Sequence, residues 1–126
     1  MTLVLDSGAL IALERNDRAM WRRLKAAQLG GQIPVTHGGV VGQAWRGQGA
    51  RQALLAKVLA ASDVRPLDEA LGRAAGELLA VARRRDVIDA ALVLLARDGD
   101  HMLTSDPDDL EPLARASGVH VEIIRA

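Results

Sequence analysis

Three aspartates in this chain of 126 residues stand where a carboxylate has to be accounted for. Asp6 ends the apolar run Leu3-Val4-Leu5, and Asp106 follows Met102-Leu103-Thr104-Ser105. A short apolar run bounded by polar residues reads as a buried parallel strand. Open α/β sheets bind ligands outside the carboxyl ends of their strands, so both carboxylates are expected at that edge. Aspartate is also a good helix N-cap, and either residue alone is explained equally well as a cap. Asp89 is harder to account for. It lies in the stretch Asp86 to Ala96, whose helix is expected to be apolar on every side beyond Asp89 and therefore central and buried. A buried carboxylate must be paired or else take up a proton. A salt bridge to Arg83, Arg84 or Arg85 is one solution; turning toward the strand ends to meet Asp6 and Asp106 is the other. Three carboxylates in one place repel unless a cation neutralises them. With no cysteine and only scattered histidines (His37, His101 and His120), an oxygen-only set favours Mg²⁺ or Mn²⁺ over zinc. Such a site activates water and clamps a phosphodiester.

The elements that would position these residues alternate between short strands and longer helices, the pattern of a parallel α/β sheet. Strands are expected at Leu3–Leu5, Ile33–Val35, Val64–Leu67, Met102–Thr104 and Val119–Ile124. Helices are expected over Ser7–Leu13, after Asn16 or Asp17 as a cap, after Thr36 as a cap, over Ala50–Ala61, from Asp68 to about Arg83, over Asp86–Ala96, and from Pro107 with Asp106 as its cap. The helix after Thr36 carries Gly38, Gly39 and Gly42, which weaken it and permit close approach of another backbone.

Bulk properties narrow the partners. The length suits a single domain over residues 1–126. Formal net charge is zero, so no broad electrostatic footprint for nucleic acid exists. With two tryptophans and no other aromatic residue, stacking of bases has little to work with. Local basic groups remain. Arg84 and Arg85 precede Asp86 and Asp89, and Arg46 and Arg51 flank Gly47-Gln48-Gly49. They read either as solvated helix ends or as a rim that holds RNA phosphates over an acidic pocket. The arginine content has a second explanation in GC-rich coding. The longest uncharged apolar run, Ala90 to Ala96, is too short to span a bilayer, and the first apolar run, broken at Asp6, does not read as a signal peptide. A cytoplasmic protein with no membrane partner is expected. No phosphate-binding Gly-Lys loop is present. A phosphoacceptor signalling domain also gathers acids at strand ends, but the last strand lacks the lysine such domains carry.

Together these segments resemble the PIN domain, the fold of VapC-type toxin ribonucleases. Leu3-Val4-Leu5-Asp6-Ser7-Gly8-Ala9-Leu10-Ile11 is similar to its opening, Asp89 to Ala96 to its central acidic helix, and Leu103-Thr104-Ser105-Asp106-Pro107-Asp108-Asp109-Leu110 to its closing motif. The resemblance covers essentially the whole chain and implies a three-layer α/β/α sandwich on a mainly parallel sheet of four to five strands. It implies a Mg²⁺- or Mn²⁺-dependent endoribonuclease, usually dimeric and held by a small antitoxin protein. Asp6, Asp89 and Asp106 would be the catalytic metal carboxylates, with Asp109 as a later acid of the same motif. Ser7 and Thr104 would orient ligands, and Asp86 would support them. One position departs from the family: the glutamate usual on the helix after the second strand is matched by Gln43. Glutamine keeps a carbonyl oxygen but carries no charge and cannot act as a base. The resemblance therefore leaves two readings, a ribonuclease of reduced activity and a degenerate domain that binds RNA or a protein without cutting. The glycine-rich apolar helix near Val40 is where a dimer contact is expected.

Overall fold

The computed structural model describes all of residues 1–126. Its strands are β1 (Leu3–Leu5), β2 (Val35–His37), β3 (Asp63–Arg65), β4 (His101–Thr104) and β5 (Glu122–Arg125). They form one sheet in the order β3-β2-β1-β4-β5, with every neighbouring pair parallel. The helices are α1 (Ser7–Glu14), α2 (Arg18–Leu29), α3 (Gly38–Ala44), α4 (Gln52–Ala60), α5 (Glu69–Ala82), α6 (Val87–Leu95) and α7 (Pro107–Ser117).

The layering follows from the handedness of parallel crossovers. The steps β1 to β2 to β3 run one way along the sheet, which puts α1 to α4 on one face. The steps β3 to β4 to β5 run the other way, which puts α5 to α7 on the opposite face. The contacts agree: α1 packs on α2, α3 and α4, while α5, α6 and α7 pack on one another. The three-layer α/β/α architecture expected from the sequence is the one observed. The strand order reverses beside β1, so the crevice favoured by such sheets opens between β1 and β4. With no Phe or Tyr, the core is built of Leu, Val, Ala and Met, and all of β1 lies inside it. Helix α1 faces the core with Ala9, Leu10 and Leu13, the three-to-four residue spacing of one helical face. No helix is long and apolar enough to cross a membrane.

Several boundaries differ from the sequence expectation, each for a local reason. Strand β2 runs over Val35–His37 rather than Ile33–Val35. Pro34 has no N–H to give to a ladder, and Thr36, expected as a helix cap, is a buried strand residue whose hydroxyl donates to the Leu5 carbonyl at 2.8 Å. His37 caps α3 instead, its Nδ1 accepting from the Gly39 N–H at 3.0 Å. Pro66 ends β3 at Arg65, earlier than the expected Leu67. Strand β5 begins at Glu122 and reaches Arg125, later than expected, because Gly118 first closes α7 in the left-handed region. In α3, Val40 and Ala44 are buried in the core, while Val41 is partly covered and Trp45 at its end is exposed.

Two glycines set close approaches that bear on the crevice. A Cβ on Gly8 would stand 2.7 Å from the Ser105 backbone nitrogen, so α1 can lie against the end of β4 only with glycine there. A Cβ on Gly39 would stand 2.9 Å from the His37 ring and 3.2 Å from the Ile88 side chain, so α3 meets the start of α6 at the same kind of contact.

Candidate functional site

Strand register lines up one row of residues along the carboxyl edge of the sheet. His37 pairs with Arg65 and Thr104 with Arg125. The pairs Val4 with Val35 and Leu5 with Leu103, carried on along the strands, bring Asp6 beside His37 and Thr104. The row therefore reads Arg65, His37, Asp6, Thr104, Arg125. Asp6 is buried, and both its oxygens are engaged. Oδ1 accepts from the Ser7 N–H and Oδ2 from the Thr104 hydroxyl, each at 2.7 Å. The Thr104 oxygen in turn accepts from the Asp106 N–H at 3.0 Å. One buried hydroxyl thus holds the Asp6 carboxylate and the backbone at Asp106 together. Asp106 occupies the cap position of α7, but its side chain makes no capping bond, contrary to expectation. The carboxylate is exposed and receives only a long bond from Ser105 Oγ at 3.4 Å.

Asp89 reaches the crevice from the opposite layer. It lies in the first turn of α6 rather than in its apolar middle, which is formed by Ala90 to Val93. Asp86 caps that turn, accepting from the Ile88 and Asp89 N–H groups at 2.9 and 3.1 Å. His37, fully buried, braces the turn: its Nδ1 is occupied as an acceptor, so Nε2 carries the proton and donates to the Ile88 carbonyl at 2.9 Å. Asp89 is half-buried and no arginine pairs with it, so the salt bridge to Arg83, Arg84 or Arg85 is absent. Its pKa is pushed up to about 7, first by loss of hydration and then by the charges of Asp86, Asp6, Asp109 and Asp106. Five aspartates from β1, α6, its cap and the β4–α7 corner therefore share one field.

The basic residues divide. Arg84 and Arg85 line a cavity of about 200 Å³ together with Asp86, Asp89, Asp109 and Leu113. Arg83 just before them adopts a left-handed backbone, φ 57°. Arg46 instead folds back on α3, donating to the Gly42 and Trp45 carbonyls at 3.1 and 2.7 Å. Arg51 precedes α4 with no capping bond. Their loop is tied down by Gln52, whose buried Oε1 accepts from the Arg46 and Gly47 N–H groups at 2.9 Å while Nε2 donates to Glu14 at 2.8 Å. Glu14 ends α1, about 12 Å along that helix from Asp6, so Gln52 ties this loop to the end of α1 remote from Asp6.

No family model matches the chain, and no curated protein sequence matches it. Solved structures do. The crystal structure of VapBC2 from Rickettsia felis bound to a DNA fragment from their promoter superposes with a TM-score of 0.68 at 12% identity, covering 98% of this chain and 99% of that one. The fold is PIN-like. At that identity the likeness carries the architecture, and the chemistry has to be argued from the side chains in hand.

In this PIN-like fold the departure at Gln43 acquires a place. Gln43 follows Gly39 by one helical turn, so the two share a face of α3, and Gly39 lies against Ile88 at the start of α6. The Gln43 Oε1 is buried and has no hydrogen-bond partner, a deficit worth about 1–3 kcal/mol. Asp89, in the first turn of that neighbouring helix, is held partly protonated by burial and by its acidic neighbours. The donors are all oxygens, which fits a hard ion. No three acidic or histidine side chains converge closely enough to hold one ion between them; Mg²⁺ is commonly held by one or two carboxylates and keeps several waters, so the set still fits.

The sequence showed His37 only as one of three scattered histidines, but it braces the start of the Asp89 helix. Its place directly before Gly38-Gly39 is the only sequence signal for that contact. Gln52 went unnoticed, because nothing in the local pattern marks a glutamine whose partners lie in another loop and on another helix.

Proposed function

We propose that the chain is a Mg²⁺- or Mn²⁺-dependent endoribonuclease, the toxin of a toxin–antitoxin pair acting on RNA in the cytoplasm. The observation that carries this reading is Asp6, buried and fixed by Thr104 at the topological switch point of a PIN-like sheet, with Asp89 near enough to feel its charge and those of Asp86, Asp106 and Asp109. Asp6 and Asp89 would be the principal metal carboxylates, with Asp106 and Asp109 completing the acidic wall and Gln43 offering its unpaired carbonyl. A bound divalent ion would supply Lewis-acid polarisation of a phosphodiester and a water of lowered pKa. The chain's own residues prepare that ground. Thr104 and the Ser7 N–H fix the two oxygens of Asp6, and Asp86 and His37 fix the turn that presents Asp89. Without an ion Asp89 keeps its proton up to about pH 7, so a divalent ion held there would bind more tightly as pH rises. Arg84 and Arg85 stand at the same cavity and can meet phosphate oxygens. The same reading pairs the chain with an antitoxin protein and with a second copy of itself.

The test is cleavage of RNA by purified protein with and without Mg²⁺ or Mn²⁺. Metal-dependent cleavage that falls at least about 100-fold in Asp6→Asn is expected. Cleavage that persists in chelator, or that Asp6→Asn leaves unchanged, overturns the reading. Gln43 favours a second one, a PIN-like domain that binds RNA or a protein without cutting. RNA bound but left intact at saturating Mn²⁺ is the result that selects it.

A further inference from the structure

The row along the carboxyl edge of the sheet has an arginine at each end, and the two are in different states. Arg65, on β3, is neutralised by Asp63 at 2.8 Å. Arg125, on β5, has no carboxylate partner. It is exposed, yet it is held: its Nη1 donates to the Ser105 carbonyl at 2.9 Å. Ser105 lies between Thr104, which bonds Asp6, and Asp106. One guanidinium nitrogen is thus spent on fixing the group beside the acidic cluster, and its remaining N–H donors are left for another acceptor. Asp106 directly follows Ser105 in the chain, yet it does not pair with Arg125.

We infer that Arg125 is a positioning residue that grips an RNA phosphate next to the one at the acidic site, an inference that rests on the ribonuclease reading above. Arg125 stands two strands from Asp6, about 10 Å across the sheet, too far to share the scissile phosphate and suitably placed for a neighbour along the strand. A preorganised guanidinium fork matches phosphate oxygens in a way a mobile lysine does not. Arg84 and Arg85 flank the cluster from the α5–α6 side, so Arg125 supplies the grip on the β5 side and the backbone is held at both ends of the crevice.

The test uses the full chain carrying Asp89→Asn so that RNA stays intact, with binding of a single-stranded RNA oligonucleotide followed by fluorescence anisotropy over a series of KCl concentrations. Arg125→Gln keeps a donor for the Ser105 carbonyl and removes the charge. It is expected to bind roughly three- to tenfold more weakly and to lower the slope of log affinity against log salt by about 0.7, one phosphate contact on a single strand. Arg125→Lys should keep the slope and recover part of the affinity. Arg65→Ala should change neither. With Asp89 restored and Mn²⁺ present, Arg125→Gln should raise KM and leave kcat within about twofold. An unchanged salt slope in Arg125→Gln, or an equal fall in Arg65→Ala, overturns the inference while leaving the ribonuclease reading in place. RNA binding and its slope change without any cleavage by the native chain would uphold Arg125 and remove the catalytic part of that reading. No RNA binding by the parent protein overturns both.

Discussion

Asp89→Asn is expected to stabilise the metal-free protein above neutral pH and to do nothing of the kind in acid. The folded chain holds the Asp89 proton up to about pH 7, against an ordinary value of 3.8. Between those values the folded state binds more protons than the unfolded one, so stability falls as pH rises from about 4 to about 7 and stays low above that. At 1.36 kcal/mol for each pH unit, the full difference would be about 4 kcal/mol. Asp89 is only half-buried, and water screens much of that, so a penalty of about 1–3 kcal/mol at pH 8 is the realistic size. The amide variant has no charge to desolvate and no repulsion from Asp86, Asp6, Asp109 and Asp106. Urea unfolding in chelator, followed by the fluorescence of Trp21 and Trp45, measures it directly. The variant should match the native chain near pH 4 and exceed it by about 1–3 kcal/mol at pH 8. Saturating Mg²⁺ or Mn²⁺ should then narrow or reverse the gap, because an ion that binds only the folded native chain adds stability by mass action. A difference that does not grow with pH, or a variant less stable at pH 8, would show that the five carboxylates do not share a field.

Two further substitutions probe the same machinery. Thr104→Val keeps the shape but strips partners from Asp6 Oδ2 and the Asp106 N–H; a loss of about 1–3 kcal/mol in urea unfolding is expected, together with weaker divalent-ion binding by calorimetry, and an unchanged affinity would mean that Thr104 orients nothing. Gln43→Glu adds a carboxylate on the α3 face turned toward α6, and Mn²⁺ should bind about tenfold more tightly, since affinity follows ligand charge; no change by calorimetry would place Gln43 outside the site.

Much of the framework was legible because it depends on neighbours in the chain. The run Leu3-Val4-Leu5 stopping at Asp6, and the caps Asp17 and Asp68, are local patterns, and β1, α2 and α5 begin where those patterns put them. Strand β2 was misplaced because Thr36 and His37 are polar yet buried. Each is satisfied by a partner far along the chain, Leu5 for one and Ile88 for the other, and no local window contains those atoms. Asp89 stood out in the sequence as a carboxylate in need of a reason, but its position in the first turn of α6, and the absence of an arginine partner, came only with the packing of α6 against β2 and α7.

The sequence by itself determined that carboxylates would end the first and fourth strands and that a third acid would sit in an apolar helix. Those are facts of residue type and spacing, whereas the glutamate expected at Gln43 was implied only by the family resemblance. Only the tertiary structure decided that the acids share one field, that a single threonine joins Asp6 to Asp106, and that Arg65 is neutralised while Arg125 is held free at the other end of the same row. Burial and charge coupling depend on distances between residues remote in the chain, and those distances exist only once parallel strands have set their register.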